Sequence, residues 1–145
     1  MKIAMACDHG AFEYKEMIKK MLEEQGHEVQ DFGCDSKASV DYPDYAIPAA
    51  KSVADGTNDR GIVICSTGIG VSICANKVKG VRCALVHDTT SARLTREHNN
   101  TNVLALGQLV TGETIAKEIV NVWINTEFSN DARHIRRIDK MMAAE

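Results

Sequence analysis

One stretch of this 145-residue chain combines what proton chemistry needs: Cys65-Ser66-Thr67-Gly68-Ile69-Gly70-Val71-Ser72. It follows an apolar run, Gly61 to Cys65, and leads into a helical pattern from Val71 to Lys77. Glycines there let the backbone turn tightly and aim several N–H groups at one point. Those amides, with the positive end of a helix behind them, favour an anion. Cys65 would sit in the same field, which favours its thiolate. A thiolate beside an anion hole suits abstraction of a proton alpha to a carbonyl. The sulfur takes the proton while the amides hold the enediolate oxygen. The pattern suits a buried structural cysteine before a tight turn equally well. It is not a dinucleotide fingerprint, because only Gly68 and Gly70 have the spacing, and it lacks the GK[ST] ending of a P-loop. Nor does an arginine follow to grip a phosphoester, as a cysteine phosphatase would require.

Three other groups can carry charge or protons. Asp8-His9 follows the first apolar run and could bind sugar hydroxyls or a phosphate, although an aspartate there is more commonly a helix cap. His98-Asn99-Asn100 closes a helical stretch. A histidine there could act as a general acid, or simply sit favourably at a helix carboxyl end. Arg133 and Arg137, four apart in Arg133-His134-Ile135-Arg136-Arg137, share a helix face and could clamp a phosphate. A solvated basic helix is the commoner fate of such a run. The histidines make no HxH or HExxH pattern and no thiolate pair accompanies them, so a metal site is not expected.

The elements that must position these groups alternate. Strand runs are expected at Ile3–Cys7, Glu28–Phe32, Gly61–Cys65, Arg82–Val86 and Asn102–Leu106. Helical stretches are expected at Ala11–Gln25, Tyr45–Ala54, Val71–Lys77, Ser91–Glu97, Gly112–Asn125 and Asp131–Ala144. This implies a single α/β domain over residues 1–145: a three-layer α/β/α sandwich with a five-stranded parallel sheet, Rossmann-like in plan. In such sheets ligands bind beyond the carboxyl ends of the strands. Asp8-His9, Cys65 to Gly68 and His87-Asp88 all fall there.

The chain's charge is close to balanced, with 17 Lys and Arg against 20 Asp and Glu, which argues against a general nucleic-acid surface. No apolar stretch approaches the ~18 residues of a membrane span, and Met1 leads directly into a strand pattern. Five cysteines without a CxxC pair suggest free thiols in a reducing cytoplasm, with Cys7, Cys74 and Cys83 as small core residues.

Taken together, the motifs resemble the ribose-5-phosphate isomerase type B family, which also includes galactose- and allose-6-phosphate isomerases. The resemblance spans the chain: Cys7-Asp8-His9, Asp41-Tyr42-Pro43-Asp44-Tyr45-Ala46, Ile64-Cys65-Ser66-Thr67-Gly68-Ile69-Gly70, Ala75-Asn76-Lys77, Arg96-Glu97-His98-Asn99 and Arg133-His134. It implies a cofactor-free intramolecular oxidoreductase that interconverts ribose 5-phosphate and ribulose 5-phosphate. Cys65 would be the base, and His98 the acid for ring opening with Thr67 nearby. Ser66, Gly68, Ile69 and Gly70 would supply amides to the enediolate. Asp8 and Asn99 would bind hydroxyls, His9, Arg133 and Arg137 the phosphate, and Tyr42 would line the pocket. It also implies a homodimer or a dimer of dimers with shared sites, in which the C-terminal helix contributes to the contact. No nucleic-acid or membrane partner is implied. Six-carbon sugar phosphates, or non-catalytic binding of a phosphosugar, are the alternatives.

Two departures stand out. Ser66 replaces the usual glycine after the cysteine, which matters only if that position needs a positive φ. Leu109 occupies the place where many relatives carry a phosphate-binding arginine.

Overall fold

The computed structural model describes residues 1–145. Strand alternation divides its core in two. In β1 (Lys2–Cys7) Ile3, Met5 and Cys7 face one layer of helices, and Ala4 and Ala6 face the other. In β3 (Arg60–Cys65) Ile62 and Ile64 join the first face, Val63 and Cys65 the second. β5 (Val103–Gly107) repeats the division, with Leu104 and Leu106 against Val103 and Ala105. Period-two strands buried on both faces lose polar alternation but keep this sorting by size.

The large-residue face is covered by α1 (Phe12–Glu24) and α5 (Glu113–Asn125), with α4 (Thr89–Asn99) inserting Ala92. Tyr14, Ile18 and Leu22 of α1 and Ile119, Val120 and Trp123 of α5 fill that layer. The small-residue face is covered by α2 (Pro43–Ala54) and α3 (Ile69–Asn76). Ala46, Ala49 and Ala50 let α2 approach closely over Ala4 and Ala6. A sixth helix, α6 (Ala132–Met142), lies outside these layers and packs on α4.

All strand pairs are parallel, in the order β2-β1-β3-β5-β4, where β2 is Glu28–Asp31 and β4 is Cys83–Leu85. From β1 the chain steps out to β2 on one side; it then crosses to β3 on the other, goes on to the edge strand β4 and returns inward to β5. The crevice at this reversal, beyond the carboxyl ends of β1 and β3, is where α/β sheets place ligands. The register sets Cys7 beside Ile64, and the Asp8 amide donates to the Ile64 carbonyl at 3.1 Å. Asp8 and Cys65 therefore leave the sheet side by side.

Several boundaries differ from the sequence expectation for local reasons. α2 starts at Pro43 rather than Tyr45, since proline is pre-set for a first helical turn. α3 starts at Ile69 rather than Val71, directly after Gly68, which holds φ +78°. α4 starts at Thr89, where the Asp88 carboxylate accepts the Ser91 amide at 2.7 Å, and runs on to Asn99. Of the cysteines expected in the core, Cys7 is buried, but Cys74 and Cys83 are only half-buried; Cys34 is buried instead. All five thiols are free. No helix is long and apolar enough to cross a membrane.

Candidate active site

Cys65 ends β3 with its side chain on the α2/α3 face. It is 5% exposed and accepts the Gly68 amide at its Sγ, 3.1 Å away. The sulfur is thus buried in the α2/α3 core layer and bonded to the glycine turn, with exposed Thr67 and Ile69 beside that turn. The turn has no slack. An added Cβ at Gly68 would lie 2.5 Å from Leu85 Cδ1 and 2.8 Å from the Leu106 carbonyl carbon, in a backbone conformation that side chains resist. Ser66 is not among the positive-φ residues, so its side chain is tolerated and the demand falls on Gly68. The first intrahelical bond of α3 runs from the Ser72 amide to the Gly68 carbonyl, so the Gly70 and Val71 amides precede it. The Ile69 amide is taken by Thr67 Oγ1 at 3.3 Å.

Around this turn the structure gathers most of the expected residues. Gly10 and Ser66 come so close that a Cβ on Gly10 would lie 3.1 Å from Ser66 Oγ and 3.4 Å from Asp8 Oδ1. The Tyr42 ring lies across Gly70, where a Cβ would stand 2.7 Å from the ring. Asp8 does act as a cap, its Oδ1 accepting the Ala11 amide at 3.0 Å. Its other oxygen takes no bond within the chain. His9 accepts the Val40 amide at Nδ1 (3.2 Å), which leaves Nε2–H free to donate outward. The Leu109 amide donates to the Ser66 carbonyl at 2.9 Å, so Leu109, 73% exposed, stands at the rim.

His98, Asn99, Arg133 and Arg137 are not in this group. α4 ends at Asn99 and the chain enters β5 at Val103, which pairs with Gly61 at the opposite end of β3. Gly61 and Cys65 are four residues apart, about 13 Å of strand. His98 stacks on His134 of α6, ring centroids 4.4 Å apart. Arg133 and Arg137 are exposed on the same helix, Arg133 paired with Asp131 at 3.1 Å. Asn99 is exposed, and its carbonyl accepts Arg82 Nε at 3.0 Å. One chain therefore carries two separated halves of the expected constellation. The largest cavities lie elsewhere: one of about 650 Å³ is walled by residues including Lys51, Lys77 and Lys79, one of about 440 Å³ by Asp31, Gly33 and Tyr45 among others, and one of about 370 Å³ by Arg82, Cys83 and Asn99 among others. Cys65, 5% exposed, lines none of these cavities. No group of His, Cys, Asp and Glu stands in an arrangement that could hold a metal.

A cysteine and turned amides at the reversal point of a parallel sheet can serve proton transfer, and comparison with known proteins places the chain among the sugar-phosphate isomerases. The sequence model of the ribose/galactose isomerase family matches residues 3–141, and the chain belongs to that family. It is 55% identical over 97% of its length to YwlF of Bacillus subtilis, covering 95% of that protein, which is named provisionally as a sugar phosphate isomerase. It is 45% identical to ribose-5-phosphate isomerase B of Escherichia coli, covering 99% of this chain and 96% of that one. Identity to D-erythrulose-4-phosphate isomerase of Pectobacterium atrosepticum is 43%, over 88% and 85% of the two chains. Among solved structures, ribose-5-phosphate isomerase B of Clostridium thermocellum superposes with a TM-score of 0.97 at 46% identity, covering 99% of this chain and 97% of that one.

Proposed function

We propose that the protein interconverts ribose 5-phosphate and ribulose 5-phosphate through an enediolate, with Cys65 as the base. The observation that carries this is the Gly68 amide donating to the Cys65 sulfur at 3.1 Å, at the reversal point of the sheet. In the aldose-to-ketose direction the thiolate takes the C2 proton and returns it to C1, while the hydroxyl proton on O2 passes to O1. Amides of the Ser66 to Gly70 turn other than those bonded to Cys65 and Thr67, Gly70 first among them, hold the enediolate oxygen between the two steps. His98 protonates the ring oxygen to open the sugar, with Thr67 nearby. Asp8 and Asn99 bind hydroxyls, His9, Arg133 and Arg137 hold the phosphate, and Tyr42 walls the pocket. The reaction belongs to the pentose phosphate pathway, and five free thiols fit the cytoplasm.

Because His98 and Cys65 lie at opposite ends of one sheet, the working site is made from two subunits of a homodimer, or of a dimer of dimers. The α4/α6 end of one copy faces the glycine turn of the other. Exposed Ile69, Ile73, Leu109 and Val110 around that turn supply apolar surface for the contact.

The substrate has two competitors. A relative named for a four-carbon sugar phosphate is nearly as similar as one named for ribose 5-phosphate, and the family description includes galactose. A metal-free coupled assay of ribose 5-phosphate against erythrose 4-phosphate, allose 6-phosphate and galactose 6-phosphate ranks them. Ribose 5-phosphate should have the highest kcat/KM; a higher value for another sugar would replace the assignment. Cys65→Ala should stay folded, still bind sugar phosphate and lose at least ~100-fold in kcat. A variant with unchanged turnover removes Cys65 from the mechanism, whereas sugar-phosphate binding without turnover in the unsubstituted protein would leave a binding module as the better reading.

A further inference from the structure

His134 is buried in this fold, at 5% exposure, yet it lies outside both the hydrophobic layers and the roles assigned above. Its imidazole lies flat against that of His98, with centroids 4.4 Å apart and planes inclined by 13°. Neither ring makes a hydrogen bond within the chain, so no carbonyl or carboxylate fixes the orientation of His98. We propose that His134 is a positioning residue: its stacked ring holds the His98 imidazole with an edge free toward the sugar. This rests on the reading of His98 as the ring-opening acid.

The backbone builds this stack. The Ser129 amide donates to the Glu97 carbonyl at 3.1 Å, and Arg96 Nε donates to the Thr126 carbonyl at 3.1 Å. These bonds tie the segment before α6 to the last turn of α4. Asp131 then caps α6 through the Arg133 amide at 3.1 Å, which fixes where His134 enters. Ile138, one turn on, buries the same face of the helix. The charged groups around His134 are His98 from α4 and Arg133, Arg137 and Asp131 from its own helix. Burial first, and then the neighbouring His98 and Arg133, hold the His134 imidazole below its ordinary range despite the opposing Asp131.

The experiment separates ring chemistry from carbon chemistry. Ribulose 5-phosphate is open-chain, because its C5 oxygen carries the phosphate and cannot close onto C2. Exchange of its C1 hydrogen with deuterated water reports enediolate formation alone, whereas isomerisation of ribose 5-phosphate, supplied as the closed furanose, also requires ring opening. In His134→Ala, kcat for isomerisation should fall by about 10-fold, the value of one aromatic stack. KM and the C1 exchange rate should stay within about twofold of the unsubstituted protein. His134→Phe keeps the stack without the nitrogens and should recover most of the lost rate. Exchange falling in parallel with isomerisation, a rise in KM alone, full activity in His134→Ala, or a His134→Phe variant as poor as His134→Ala would each overturn the proposal. Failure of the unsubstituted protein in both assays would count against the isomerase reading instead.

Discussion

At the scale of single residues, Gly68 is constrained twice over. A side chain there would need a left-handed conformation and would collide with Leu85 and the Leu106 carbonyl. Gly68→Ala is expected to cost more than about 2 kcal/mol in urea unfolding, and to displace the amide that reaches the Cys65 sulfur. A silent substitution would show that the turn can open without penalty. Leu109 makes the opposite case, since within the chain its side chain is exposed at the rim. Leu109→Arg should lower KM for ribose 5-phosphate by about 10-fold by adding a charge-assisted phosphate contact. An unaltered KM would mean that the phosphate lies out of reach of this position.

Between elements, the junction of α1 with β2 depends on a buried charge. Lys15 is 1% exposed and donates to Asp31 Oδ1 at 2.7 Å, with Glu16 at 3.1 Å. Burial alone would raise the Asp31 carboxyl, but bonds from Lys15, the Gly33 amide and Lys19 hold it below its ordinary 3.8. Burial alone would lower the Lys15 ammonium, but Asp31 and Glu16 raise it above 10.5. The depressed carboxyl stabilises the fold above its unfolded value, and that contribution fades as pH falls below about 4. The raised ammonium stabilises below its unfolded value, and that contribution fades as pH climbs past about 10.5. Asp31→Asn leaves Lys15 with one carboxylate, and should cost about 3 kcal/mol at pH 7 while losing much less at pH 3. Urea midpoints at the two pH values check this; an equal loss at both would refute the assigned pair.

For the whole molecule, the proposed pairing of Cys65 with His98 in one site requires a second copy. Cys65→Ala and His98→Asn proteins should each be inactive alone. When unfolded together and refolded, mixed dimers should regain roughly a quarter of the native activity, because half of the dimers each hold one intact site. Absence of any recovery in verified mixed dimers would mean that the site is not shared.

Much of this molecule was legible in one dimension. The alternation of apolar strands with helical stretches specified a parallel sheet, because strands covered on both faces must be apolar throughout. Cysteine followed by turned glycines marked the end of β3, and Asp8-His9 the end of β1, and the structure sets those two ends side by side. Helix starts at Pro43, Ile69 and Thr89 were less legible, since each depends on a cap or turn geometry rather than on periodicity. Only the tertiary structure set the strand order and laid Tyr42 across Gly70. It also placed His98 on His134, at the far end of the sheet from Cys65. Local sequence encodes which residues form an element and which face they bury. The distance between residues 65 and 98 is decided by how the elements stack, because a helix returning from a parallel strand carries its last turn back to where the strands begin.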